Sequence, residues 1–125
     1  MIVVDASVVL AYLRNEPGGS VLETGAGPFL LSTVNLTEVL TRVVDNDLDP
    51  DDVMRVLRRL PVTLVDYDVE DSRLAAGLRT ATRRRGLSLG DRACLALAQR
   101  RGVPVVTADS VWTDLDLGLD IRLIR

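Results

Sequence analysis

Four acidic residues stand where a folded chain could bring them together for chemistry. Asp5 and Asp109 each follow an apolar run that predicts a buried strand, Asp91 opens an apolar helix, and Glu38 lies about one turn into another helix. If the two strands are neighbours, the four carboxylates can meet at the carboxyl edge of a sheet, where α/β proteins bind ligands. Clustered carboxylates repel one another unless a cation neutralises them. A site made only of oxygen ligands indicates a hard divalent ion, Mg²⁺ or Mn²⁺.

Each acid also has a purely structural interpretation. Asp5 stands where a helix N-cap is expected, between a strand and an apolar helix. Asp91, three residues after Ser88, has the spacing of a capping box. Glu38 could be a solvated charge at the border of an apolar stripe, and Asp109 could simply start a turn. It is the joint placement of the four that favours a shared site.

Composition removes most other catalytic chemistry. The chain has no His, which excludes imidazole bases and ligands, and all 15 basic residues are Arg, which excludes catalytic lysines. Cys94 is alone, so neither a disulfide framework nor a thiolate metal cluster is expected. An aspartate-nucleophile phosphatase would need a second Asp where Ser7 stands, and no strand is followed by a dinucleotide-binding G-x-G-x-x-G. The side chains left for catalysis or ligand binding are carboxylates, hydroxyls and arginines.

The elements that must position these residues alternate along the chain. Short apolar runs predict strands over residues 2–4, 28–32, 62–65, 104–107 and 121–124. Periodicity, caps and glycine stops predict helices over residues 6–14, 34–45, 50–60, 68–85 and 88–101, with an ambiguous connector at 20–27. Right-handed crossovers between the strands would give a short parallel sheet of about five strands between two helical layers, a three-layer α/β/α fold.

The length of 125 residues predicts a single domain over residues 1–125, large enough for one sizeable core. No apolar run approaches the length of a membrane span. Met1 leads directly into the first strand without a basic, cleavable leader. We therefore expect a cytoplasmic protein that does not associate with a membrane.

Four blocks of the sequence resemble the motifs of PIN-domain ribonucleases. They are IVVDAS at the N-terminus, LSTVNLTEVL around Glu38, LSLGDRACLALA around Asp91 and TADSVW around Asp109. Their order, spacing and total length most closely resemble the VapC toxins of bacterial type II toxin–antitoxin modules. The resemblance runs from residue 2 to about residue 124, and the block around Asp91 is the most specific.

The resemblance implies a PIN-like fold and an Mg²⁺- or Mn²⁺-dependent endoribonuclease. The implied catalytic and metal-binding residues are Asp5, Glu38, Asp91 and Asp109. The implied supporting residues are Ser7 and Asn35, and Asp114 is a nearby carboxylate that could help to hold a metal or water. A metal-activated water would attack the phosphodiester and leave a 5′ phosphate. The implied partners are an RNA substrate, a VapB-type antitoxin that blocks the acidic site, and a second copy of the chain in a homodimer.

Arginines are the candidate RNA contacts in a chain whose net charge is −3. Arg83, Arg84 and Arg85 precede the Asp91 block and Arg92 lies within it, and guanidinium groups match phosphate geometry. The same arginine run could equally be a solvated helix end favoured by the macrodipole. Trp112 could stack on a base, although packing is the more conservative expectation.

A second function remains open at this stage. The same fold could be a non-catalytic RNA-binding or interaction module in which the acids hold a structural metal. Hydrolysis of RNA with and without metal separates the two hypotheses.

Overall fold

A computed structural model of the chain describes residues 1–25 and 27–125. Its strands are β1 (Ile2–Val4), β2 (Phe29–Ser32), β3 (Val62–Val65), β4 (Val105–Thr107) and β5 (Ile121–Leu123). Within the described residues these five strands form one sheet in the order β3-β2-β1-β4-β5, and every pair is parallel. β1, the first strand in the sequence, is therefore the central strand of the sheet.

The helices are α1 (Ala6–Leu13), α2 (Val21–Thr24), α3 (Thr33–Asp45), α4 (Pro50–Arg59), α5 (Val69–Gly77), α6 (Arg79–Thr82) and α7 (Leu89–Arg101). Two 3-10 helices cover Arg83–Arg85 and Ser110–Asp114. Local sequence explains most of the helix starts. Asp49 accepts from the backbone N–H of Asp51 at 2.9 Å with Pro50 at the first helical position, and Asp68 forms a capping box with Asp71.

Alternate residues of the strands pack into two separate apolar layers. Val3, Leu30 and Val105 face a cluster that includes Ala75 of α5 and residues 94–98 of α7. Their neighbours along the strands belong to a second cluster, which contains buried apolar residues of three helices, namely Val8 and Val9 of α1, Val39 and Val43 of α3, and Val53 and Leu57 of α4. Because both faces of the central strands are covered, these strands read as continuous apolar runs. The three-layer α/β/α fold and the parallel sheet of about five strands predicted from the sequence are confirmed.

The structure differs from the sequence-based prediction at two segments. The single helix predicted over residues 68–85 is divided into α5, α6 and a 3-10 turn that ends at Gly86, which has a φ of 65°. The division follows Gly77, whose helix propensity is low. In the ambiguous connector at 20–27, residues Val21–Thr24 form the short helix α2, and residue 26 lies outside the described residues. Across the described chain, none of the helices has the length and apolar character needed to span a membrane.

Candidate active site

Asp5 is held at the end of β1 by three donors. Its Oδ1 accepts from the hydroxyl of Ser7 at 2.6 Å and from the backbone N–H of Val8 at 3.3 Å. Its Oδ2 accepts from the hydroxyl of Thr107 at 2.8 Å. Thr107 is the last residue of β4, which pairs directly with β1. Asp5 is therefore both the N-cap of α1 and the link between two neighbouring strand ends.

Asp109 follows the same strand end. Its backbone N–H donates to Thr107 Oγ1 at 3.0 Å, and its carboxylate Oδ1 accepts from the N–H of Val111 at 2.9 Å. Ser7 Oγ also accepts from the backbone N–H of Ala108 at 2.9 Å. Ser7 and Thr107 thus tie the segment that carries Asp109 to the segment that carries Asp5.

Asp91 and Glu38 approach from two helices that pack on each other. Asp91 Oδ2 accepts from the backbone N–H of Ser88 at 2.9 Å, in the capping box that begins α7. Glu38 Oε1 accepts from the amide of Asn35 at 2.7 Å, and the same amide donates to the carbonyl of Gly90 at 3.0 Å. Asn35 therefore fixes Glu38 of α3 against the first turn of α7.

Gly90 makes this approach possible. A Cβ built on Gly90 would overlap both carboxylate oxygens of Glu38. The glycine is buried and helical, so it is needed for space and not for an unusual φ. Any larger residue at position 90 would displace the Glu38 carboxylate from the place where Asn35 holds it.

The four acids line one pocket of about 200 Å³. Its walls also include Ser7, Leu10 and Arg42. Asp5 is 5% exposed, whereas the other three acids are only partly buried. The two strand ends, the start of α7 and the middle of α3 thus bring their four carboxylates to one pocket.

Asp5, Asp91 and Asp109 also act as helix caps, but capping occupies only some of their oxygens. Of the eight carboxylate oxygens that the four acids carry, three have no hydrogen-bond partner among the described residues, and these are Glu38 Oε2, Asp91 Oδ1 and Asp109 Oδ2. At Asp91 and Asp109 the cap uses one carboxylate oxygen and leaves the other for a ligand, whereas both oxygens of Asp5 already accept hydrogen bonds. Capping and ligand binding are therefore compatible at the same residue.

The donor set fits a hydrated divalent cation. In residues 1–25 and 27–125, no group of three or more His, Cys, Asp or Glu side chains is arranged to hold a metal ion directly. Mg²⁺, however, usually takes one or two carboxylates, keeps several waters and prefers oxygen ligands. Carboxylates spread around a pocket of this size suit an ion that some acids touch and others reach through water.

Burial and a neighbouring acid both act on the pKa of Asp5. Burial, above all, raises the pKa of Asp5 to about 6, the hydrogen bonds from Ser7, Thr107 and Val8 oppose the rise, and the charge of Asp91 adds to it. Burial also raises the pKa of the Cys94 thiol, with contributions from three of the acids. Cys94 is fully buried in α7 and belongs to the apolar core.

Several residues named from the sequence do not line the pocket. Asp114 forms an ion pair with Arg85. Arg83 and Arg84 are exposed on the 3-10 turn, and Arg92 donates to the carbonyl of Ala75 at 3.0 Å. Trp112 has no exposed surface and so cannot stack on a base without rearrangement, in line with the packing role.

Three residues that shape the pocket were not predicted from the sequence. Thr107 binds Asp5, Gly90 gives Glu38 its space, and Arg42 lines the cavity. For Arg42 the signal was its spacing, since it lies one helical turn after Glu38 on the same face. For Thr107 and Gly90 the contacts cross between distant segments, and no local pattern reports them.

A model of the family described as PIN domain matches residues 2–117 of the chain. No curated protein matches the sequence. The chain is therefore placed by a family model and by structural similarity.

Three solved structures illustrate the shared fold. A toxin-antitoxin complex from Klebsiella pneumoniae has a TM-score of 0.79 at 14% identity and covers 100% of this chain and 98% of its own. DNA-bound VapBC from Salmonella typhimurium has a TM-score of 0.74 at 17% identity, with 99% and 98% covered. VapC20 from Mycobacterium tuberculosis, a Sarcin-Ricin loop cleaving toxin, has a TM-score of 0.71 at 15% identity, with 88% and 91% covered.

We expect Gly90→Ala to separate stability from metal binding. The new methyl group displaces the flexible Glu38 side chain, while Ala favours the helix by about 0.5–1 kcal/mol. The melting temperature without metal should stay the same or rise, and the increase produced by Mn²⁺ should shrink. Thermal melts with EDTA and with Mn²⁺ test this.

Gly77→Ala is the control, because nothing lies within 4 Å of the added Cβ. It should leave the metal-induced increase in melting temperature intact. Equal metal responses in the two variants would contradict the assigned role of Gly90.

The raised pKa of Asp5 predicts a pH dependence of stability in metal-free buffer. The folded chain holds the Asp5 proton more tightly than the unfolded chain, so this contribution is present below about pH 4 and is lost as the pH rises to about 6. Its full size is roughly 3 kcal/mol by linkage. The side chain of Asp5→Asn cannot ionise. Between about pH 4 and pH 6 the free energy of unfolding of this variant should therefore increase relative to that of the wild type. Urea unfolding with EDTA at several pH values measures the difference, and parallel curves for the two proteins would refute the prediction.

Proposed function

The chain belongs to the PIN domain family, and on that basis we propose that it is an Mg²⁺- or Mn²⁺-dependent endoribonuclease, the VapC-type toxin of a type II toxin–antitoxin pair. One observation carries the proposal. Asp5, Glu38, Asp91 and Asp109 line a single pocket, and three of them keep a carboxylate oxygen free of protein partners among the described residues. These four acids are the proposed catalytic and metal-binding residues.

The chain's own residues prepare the site for a cation. Ser7 and Thr107 hold the Asp5 carboxylate in one orientation, and Asn35 does the same for Glu38. The acids are fixed before any ligand arrives, so ligand binding loses little side-chain entropy. Supporting polar residues of this kind orient metal-binding carboxylates in known sites. We assign that role to Ser7 and Asn35, and we add Thr107.

A divalent ion held by Asp5, Glu38, Asp91 and Asp109 would lower the pKa of a bound water and offset the charge that builds on the phosphate. The free carboxylate oxygens can orient a water molecule and accept its proton. That water would attack phosphorus in line while the bond from phosphorus to the 3′ oxygen breaks. The leaving 3′ oxygen would take a proton from solvent, so that the products carry a 3′ hydroxyl and a 5′ phosphate. The chain supplies no nucleophile of its own in this scheme.

The remaining candidate contacts are assigned by exposure. Arg83 and Arg84 are exposed and can contact RNA, while Arg85 and Arg92 already have partners in Asp114 and Ala75.

The partner proposed is a VapB-type antitoxin, by analogy with the toxin-antitoxin complexes of similar fold. We further propose a cytoplasmic homodimer in which residues 1–125 of each copy form one catalytic domain.

The purified wild-type protein should cleave RNA in Mg²⁺ or Mn²⁺ and not in EDTA. Asp5→Asn and Asp91→Asn should each reduce cleavage by orders of magnitude without unfolding the protein, because an amide is a poor ligand for a hard cation. Incubation with a pool of structured RNAs, followed by gel analysis, measures the rates. Circular dichroism confirms that the variants are folded.

Asp116→Asn is the matched control, because Asp116 is exposed and lies outside the pocket. It should cleave like the wild type. Cleavage that survives both pocket substitutions in EDTA would remove the catalytic assignment. Metal binding by a wild-type protein that cleaves no RNA would instead support the second hypothesis, a non-catalytic RNA-binding module with a structural metal.

A further inference from the structure

Arg42 stands at the rim of the acidic pocket. It lines the pocket together with the four carboxylates, and of the described residues that do so it is the only cationic one. It also lines an adjoining groove of about 310 Å³, which it shares with Leu10. Its side chain is exposed to solvent on α3. Anything that extends from the acids into the neighbouring groove therefore passes Arg42.

The guanidinium of Arg42 does not pair with the acids around it. Glu38 lies four residues before Arg42, the spacing and order at which a carboxylate and an arginine usually form an ion pair on a helix. Glu38 instead turns towards Asn35, three residues away in the other direction. Among the described ion pairs and side-chain hydrogen bonds, none involves the Arg42 guanidinium. The arginine keeps its donors although four carboxylates share its pocket.

The acidic pocket repels a polyanion such as RNA. The ionised acids repel phosphate, and a positive group at the rim reduces that repulsion where the backbone must enter. Arginine presents five donors in a planar fork that binds phosphate oxygens in pairs. Lysine would supply the charge without the fork. The position, the free donors and the charge all match a backbone phosphate of the substrate.

We propose that Arg42 binds a phosphate of the RNA substrate at the mouth of the acidic pocket and so positions the strand for cleavage. The inference rests on the proposed function, since it assigns a substrate contact within the same site. It differs from a general role in charge balance. An arginine that only neutralised the acids would pair with them, and its removal would destabilise the metal-free protein.

Equilibrium binding of a short fluorescein-labelled single-stranded RNA, in Ca²⁺ and over a range of salt concentrations, tests the proposal. Gel analysis verifies that the RNA stays intact during the measurement. Arg42→Gln should weaken binding by about tenfold to a hundredfold, the size expected for one charge-assisted contact. It should also make the slope of log affinity against log salt shallower by about 0.7, the value for one phosphate contact on a single strand. Arg42→Lys should keep the slope and bind with intermediate affinity.

Arg58→Gln is the matched control. Arg58 is exposed on α4, lies outside the pocket and has no ion pair among the described residues, so its loss should leave binding near the wild-type value. Metal provides a second readout. Removing a positive charge beside the carboxylates should leave Mn²⁺ affinity equal or higher in Arg42→Gln, whereas loss of a structural residue would lower it.

Two results would overturn the proposal. One is wild-type affinity and salt slope in Arg42→Gln. The other is a lower melting temperature of that variant in EDTA with unchanged RNA binding, which would make Arg42 a charge neutraliser. The two inferences fail separately: absence of RNA cleavage by the wild type removes the proposed function, while the binding comparison still decides the role of Arg42.

Discussion

The burial of Asp5 is the constraint on which the rest of the site depends. A carboxylate that is 5% exposed at the end of a central strand is costly unless donors surround it. Those donors are Ser7, Thr107 and the N–H of Val8, and they come from two chain segments a hundred residues apart. The pairing of β1 with β4 is therefore required by the polar site as well as by the apolar core. The same donors that satisfy Asp5 also carry the Asp109 segment into place.

Helix capping orients the carboxylates of Asp91 and Asp109, and Asn35 orients that of Glu38. Asp91 and Asp109 each accept a backbone N–H with one oxygen, which fixes the direction of the other. Glu38 reaches the same place from the middle of α3 because Asn35 holds it and Gly90 leaves room. The structural and ligand-binding interpretations of these acids are thus two uses of one arrangement. What stabilises the fold also positions the free oxygens.

Local sequence predicted a large part of this arrangement. The strands, the caps at Asp49 and Ser88 and the glycine stop at Gly102 all follow from short-range patterns, and the parallel fold follows from their alternation. The meeting of the four acids at one pocket followed from strand ends that share an edge of the sheet. The break after Gly77 was missed because a single glycine in a helical pattern is usually tolerated. Arg85 and Arg92 were considered only as free RNA contacts, because their partners, Asp114 and Ala75, are distant in sequence.

The most direct test of the account is the melting temperature of the wild type with and without Mg²⁺ or Mn²⁺. If the carboxylates share a cation site, free metal a hundredfold above Kd stabilises the protein by about 2.7 kcal/mol, a shift of several degrees. Asp91→Asn should raise the melting temperature in EDTA by removing a like charge, and it should reduce the metal-induced increase by removing a ligand. A wild-type melting curve that stays unmoved at millimolar metal would contradict the shared site.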